Sequence, residues 1–213
     1  MNSIGNRVHS ATAILAAATL LAFTAGCRVQ VDKGANGEDK NVKVDTPFGG
    51  VHVNTDQTTA ADLGLPVYPG AETVKDKDND KSADIHLGFG QWEMRVKAVN
   101  YATSDSQDKV EAFYKKALGS YGDVIVCDHG TAVGKPTATS EGLTCEDNDK
   151  HGTHIQIGDK TSISSGDGRQ LKAGSEHHQH IVGFQSPVGG QTRFALVAID
   201  LPSGINPSSD SKD

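Results

Sequence analysis

Residues 83–98 read ADIHLGFGQWEMRVKA. Ala83, Ile85, Leu87 and Phe89 alternate with Asp84, His86 and Gly88; beyond the turn, Trp92, Met94, Val96 and Ala98 alternate with Glu93, Arg95 and Lys97. A period of two sends the apolar set to one face of a strand and the polar set to the other. The segment therefore predicts two half-buried antiparallel strands joined through Gly88–Gln91. At Val99 and Tyr101 the apolar positions change parity, which is what a β-bulge would produce.

Outward from this pair, the period changes at Asp105–Leu118. Val110, Phe113, Tyr114, Ala117 and Leu118 recur at i, i+3, i+4, i+7 and i+8, the stripe of an amphipathic helix. Ser104 with Gln107 supplies a capping box, and Gly119 a stop. Val124–Cys127, Leu143–Glu146, His154–Ile157, His180–Phe184 and Thr192–Leu201 read as further strands. The last, TRFALVAIDL, is apolar on both faces and so belongs in the middle of the sheet. In the N-terminal part, Val42 and Val44 can pair with Val51 and Val53 across a Gly-rich turn, giving a short hairpin docked at the sheet's edge. The expected fold class is α+β: a mainly antiparallel sheet with one principal helix.

The first residues have a different character. Arg7 lies in a short polar start, and Ala11–Ala25 is an apolar run of 15 residues closed by Ala25-Gly26-Cys27. That is the layout of an export signal, and it is too short for a spanning helix of about 20 residues. FTAGC at Phe23–Cys27 resembles a bacterial lipobox, with Thr24 where that pattern usually has leucine. The resemblance implies cleavage before Cys27 and a diacylglycerol on its sulfur; ordinary cleavage of a secreted protein is the alternative. Lipidation of Cys27 would leave Cys127 and Cys145 as a pair in a compartment where disulfides persist, so a disulfide is expected there, with two buried free thiols as the alternative.

The expected organisation is a lipoprotein signal peptide over 1–26 and a flexible tether with the short hairpin over 27–62. An α+β globular domain over 63–202 and a disordered tail over 203–213 follow. Twenty Lys and Arg stand against 27 Asp and Glu, net −7, and loss of Arg7 with the signal would make this −8. An acidic chain without a basic stripe lacks the counterion-release term that dominates nucleic-acid binding, so no nucleic-acid partner is expected. Attachment to a membrane should rest on lipid at Cys27 rather than on surface charge.

LPVYPGA at Leu65–Ala71, two strands, and the helix KVEAFYKKAL at Lys109–Leu118 resemble exported bacterial proteins of unknown function. That resemblance implies export and a shared fold, and carries no catalytic or ligand residues. No GxSxG, GxGxxG, Walker or HExxH pattern occurs, so no catalytic residue or cofactor is assigned. Asp76–Asp84 places oxygens at alternate positions as a calcium loop does, but Lys81 replaces the turning glycine and Leu87 the closing glutamate. His178 and His180 share a strand face; with His154 they are candidate zinc or copper ligands, against the alternative of rings capping the rim of the core. The resulting expectation is a lipid-anchored envelope protein, on the periplasmic or outer-membrane face, acting as a non-catalytic binding or structural module with an envelope partner. A metal-binding lipoprotein using the histidines is the first alternative and an envelope hydrolase the second; the weight lies against an enzyme.

Overall fold

A computed structural model describes residues 27–33, 39–75, 81–145, 154–157, 161–164 and 168–202. The N-terminal strands are β1 (Arg28–Lys33), β2 (Asp39–Thr46), β3 (Gly49–Thr55), β4 (Glu72–Thr73), β5 (Ser82–Phe89) and β6 (Trp92–Thr103). Helix α1 (Gln107–Leu118) follows, then β7 (Val124–Asp128) and β8 (Thr131–Ala132). The last strands are β9 (His154–Ile157), β10 (Thr161–Ser164), β11 (Arg169–Gly174), β12 (His178–Val188) and β13 (Gln191–Asp200). Single 3-10 turns occupy Ala60–Leu63 and Gly119–Tyr121.

All the strand pairs are antiparallel, and the main sheet has the order β1-β2-β3-β5-β6-β13-β12-β11-β7-β8, with β4 added alongside β6. The fold is the mainly antiparallel sheet with one principal helix that the hydrophobic periods predict. β13 is central, between β6 and β12, as its two-sided apolarity requires. Phe194 and Leu196 pack on the helix-covered face, while Ala195, Val197 and Ile199 join a second buried cluster with Ile85, Val96 and Ile181.

Five expectations are corrected. No bulge interrupts β6 at Val99: its register with β5 and β13 runs unbroken through this region. The parity changes because Val96 and Ala98 belong to one cluster and Val99 and Tyr101 to the other, so this part of the strand is buried on both faces. Arg28–Lys33 is a strand and not a flexible tether, since Val29 and Val31 stand opposite Val44 and Val42. Among the described residues the sheet therefore begins at Arg28, and β1, not the β2–β3 hairpin, is its outer strand.

Helix α1 starts at Gln107 with Ser106 at its N-cap, two residues later than the capping box implies. Asp105 is committed elsewhere, bonded to Lys109 and to the Tyr68 hydroxyl. Leu143–Cys145 forms no strand; the backbone ladder there is reduced to an isolated bridge between Ala138 and Thr144, with a second between Gly142 and Ser175 just before it. The calcium-like run lies outside the described residues over 76–80, and the remaining acid, Asp84, accepts from Arg95 Nε and Nη2 at 3.0 and 2.6 Å.

The segment between β3 and β4 has no strand partner over Ala60–Tyr68, yet it carries Leu63, Leu65 and Tyr68 into the core. Its backbone polar groups are satisfied partly within the segment, the Gly64 N–H donating to the Ala61 carbonyl and the Leu65 N–H to that of Ala60, both at 3.0 Å, and partly by side chains. The Ala60 N–H donates to the Tyr101 hydroxyl, and Lys97 donates to the Asp62 carbonyl at 2.8 Å. His180 bonds the Leu63 carbonyl, and the Tyr121 hydroxyl bonds that of Gly64 at 2.7 Å. Tyr114, wholly buried, donates to the Pro66 carbonyl and accepts from the Tyr68 N–H, both at 3.1 Å.

Tyr114→Phe keeps the ring packing and deletes both of these bonds, leaving the Tyr68 N–H buried without its acceptor. The expected loss is about 1–3 kcal/mol of unfolding free energy with no change of fold. Urea denaturation of the two proteins checks this, and equal midpoints would mean that the Tyr114 hydroxyl does not help to hold the strap.

Candidate functional site

The helix covers only part of its face of the sheet. On the strands from β1 to β5 the same face is polar, and cross-strand register lines up its side chains. Gln30, Lys43, His52, His86, Arg95, Asp200 and His178 stand directly opposite one another on seven adjacent strands. This row gathers titratable groups that lie far apart in the sequence.

Each imidazole in the row is paired with a carboxylate. His52 Nε2 lies 3.0 Å from Asp45, which Lys43 also approaches at 3.4 Å. His86 Nε2 lies 2.7 Å from Glu93, and His178 Nδ1 lies 2.8 Å from Asp200. The His52 and His86 rings meet edge to face with centroids 5.9 Å apart. The bond from His52, with the help of Lys43, holds the Asp45 carboxyl below its ordinary pKa. The row is open to solvent: the His178 and Asp200 side chains are 70% and 60% exposed. Imidazole–carboxylate pairs can exchange protons, but a hydrolytic centre also needs a nucleophile aligned with the imidazole and shielded from water. What the row offers is a titratable, mixed-charge surface.

The expected metal candidates separate. His178 and His180 do share a face of β12, but they serve different partners. His178 is exposed and bonded to Asp200. His180 is half-buried, stacked on Tyr121 with ring centroids 3.6 Å apart and an interplanar angle of 17°. Its Nδ1 has no partner, so the bond to the Leu63 carbonyl is made by Nε2, which carries the proton. β9, which contains His154, pairs with β10, whereas the neighbours of β12 are β11 and β13; the His154 side chain lies outside the described residues. Among the described residues no group of three or more His, Cys, Asp or Glu side chains is arranged to hold a metal ion.

The cysteines divide as parity suggests. Cys127 and Cys145 form a disulfide with Cα atoms 5.5 Å apart, buried with Ile125 and Leu143 on the face away from the helix. Thr139 helps to fix the enclosed loop, donating to the Gly174 carbonyl and accepting from the Leu143 N–H. Cys27 is free and exposed, one residue before β1.

The row from Lys43 to His178 was not singled out by sequence reasoning. Alternation in VHV and in DIHLG puts His52 and His86 on polar faces, but their meeting depends on β3 pairing with β5 across the whole Ala60–Tyr68 strap. No family model, curated protein or solved structure matches the chain.

Two measurements follow from these contacts. Burial, the largest influence, lowers the pKa of His180 beneath its ordinary value of 6.5. A histidine held neutral in the fold contributes stability that is present above the unfolded pKa and is lost as pH falls from there through the folded pKa. Below about pH 6.5 the native protein should lose stability more steeply than His180→Gln, which stays neutral throughout. Urea midpoints between pH 7.5 and pH 5 check this, and parallel profiles would remove His180 from the account. Reduction of Cys127–Cys145, whose partners are 18 residues apart, should lower stability by about 2–5 kcal/mol, read from unfolding with and without a thiol reductant.

Proposed function

We propose that the chain is a lipid-anchored protein of the bacterial cell envelope and that its sheet domain acts as a non-catalytic binding or structural module. The observation that carries this reading is the division of the three cysteines. One is free and exposed at the end of a lipobox-like FTAGC, and the other two are oxidised to each other inside the fold. A structural disulfide suits an oxidising compartment, and the export-signal layout of residues 1–26 leads to the same place. A solvated surface row of Lys, Arg and His side chains beside carboxylates, with no assignable catalytic motif, suits contact with other envelope components better than turnover. Its mixture of Lys43, Asp45, His52, Glu93 and Arg95 would favour a partner of likewise mixed charge.

The test is anchoring. Wild-type protein expressed in a bacterial host should partition with membranes and into detergent, and Cys27→Ser should release most of it to the soluble fraction. Mass spectrometry of the membrane form should find a diacylglyceryl group on Cys27. Equal partitioning of the two proteins would sink the lipoprotein reading.

A further inference from the structure

One end of the main sheet is lined with exposed apolar side chains. It is the end at which β1 and β6 begin and β2 and β5 finish. Phe48, at the tip of the β2–β3 turn, is 83% exposed, and Phe89, at the end of β5, is 50% exposed. The Phe89 ring lies 5.9 Å from Trp92, its cross-strand partner. Val29 on the outer strand is 61% exposed and heads an apolar row, Val29, Val44, Val51, Leu87 and Met94, one opposite another on five strands. Phe89 and the half-buried Trp92 lie two positions further along the same face, so the exposed Val29 and Phe89 and the partly buried Val44, Val51, Leu87 and Met94 between them form one patch.

The patch is built and not a frayed tip. The Thr46 hydroxyl accepts from the N–H groups of Phe48 and Gly49 and donates to the Gly49 carbonyl, fixing the turn that presents Phe48. Gly49 is required there, since a Cβ would collide with the Gly88 carbonyl and the Phe89 ring. Arg28 pairs with Asp45, so Cys27 falls level with Thr46, Gly49, Phe89 and Trp92 across the sheet's end.

We infer that this end of the sheet is a membrane-docking surface, in which Phe48, Phe89, Trp92 and Val29 enter the interfacial layer of the bilayer that holds Cys27. The inference rests on the anchoring proposed above and deepens it. Aromatic side chains are favoured at the headgroup level, where ring burial is gained without leaving the interface. Exposed apolar patches mark protein or membrane contact sites, and this one lies beside the proposed point of lipid attachment. No run of slack chain separates Cys27 from β1, so an anchor there would bring the patch to the lipid whenever it held. The neighbouring charges, Arg28, Asp45 and Glu93, are of both signs, which fits a zwitterionic surface as well as an anionic one.

Trp92 is the chain's one tryptophan and reports directly on the patch. The full chain is coupled through its free Cys27 thiol to maleimide-bearing lipid in phosphatidylcholine vesicles, which imposes attachment whatever happens in the cell. Trp92 emission should shift to the blue and be quenched most by a lipid-borne quencher about 5–10 Å below the headgroups. A Phe48→Ser, Phe89→Ser double variant, coupled equally as judged by flotation and shown folded by its urea midpoint, should lose most of that quenching. Equal quenching of the two proteins, or none in either, overturns docking. The outcomes separate the two proposals: wild type that is membrane-bound in cells but unquenched on vesicles keeps anchoring and rejects docking. Patch-dependent quenching of the coupled protein, with no lipid on Cys27 in cells, does the reverse.

Discussion

The backbone of Ala60–Tyr68 has to be satisfied without a strand partner, and the rest of the domain is arranged around that need. The segment brings Leu63, Leu65 and Tyr68 onto the sheet, and burying those side chains also buries polar main-chain groups beside them. Lys97 and Tyr101 of β6, His180 of β12, Tyr114 of α1 and Tyr121 of the following 3-10 turn each supply one answer. These donors and acceptors come from four separate elements. The bonds from Lys97 and Tyr121 are open to solvent, but removing the Tyr114 hydroxyl leaves the buried Tyr68 N–H desolvated, at a cost that exceeds the modest net gain of the bond itself. Helix, strap and central strands are thereby tied into one cooperative unit. The three tyrosines are useful because each ring fills core volume while its hydroxyl reaches the backbone.

The same constraint decides what His180 does. A ring stacked on Tyr121 and donating to Leu63 has given its one proton to structure, and burial disfavours the second. Its unpartnered Nδ1 is an acceptor lone pair, while the donor Nε2 is satisfied. His178, two residues away on the same face, lies beyond the strap and keeps a solvent-exposed pairing with Asp200. One strand face thus carries a structural imidazole and a surface one. The difference comes from what lies above each ring.

This division marks where sequence reasoning worked. Alternation over Ala83–Ala98, the helical stripe of Val110, Tyr114 and Leu118, and the two-sided apolarity of Phe194–Ile199 were legible because each encodes a local contrast between a buried and a solvated side. The parity change at Val99 was misread because alternation cannot distinguish an inserted residue from a second covered face. RVQVDK was masked by its polar composition, although Val29 and Val31 do alternate. β11 was missed because RQLKAG hides two buried polar residues, Gln170 and Lys172, on the face away from the helix. The histidine row was beyond reach for a different reason. His52 and His86 come together only after the strap has crossed the core and β5 has returned beside β3, a pairing that local pattern does not contain.

Starting the sheet at Arg28 changes the mechanics of anything attached to Cys27. A flexible tether of about 14 residues would leave the domain free over roughly 20 Å and would decouple its orientation from the attachment. With β1 beginning one residue after Cys27, strand register and not chain statistics sets which side chains lie near that point. Because alternate side chains of a strand point to opposite faces, the apolar row headed by Val29 and the polar row headed by Gln30 are back to back. They lie about 7 and 10 Å along the strand from Cys27, at roughly 3.3 Å per residue. Contact through the apolar side therefore leaves Lys43, His52, His86 and Arg95 uncovered on the other. The sheet can be held on its apolar side and still present a polar, mixed-charge surface on the opposite one.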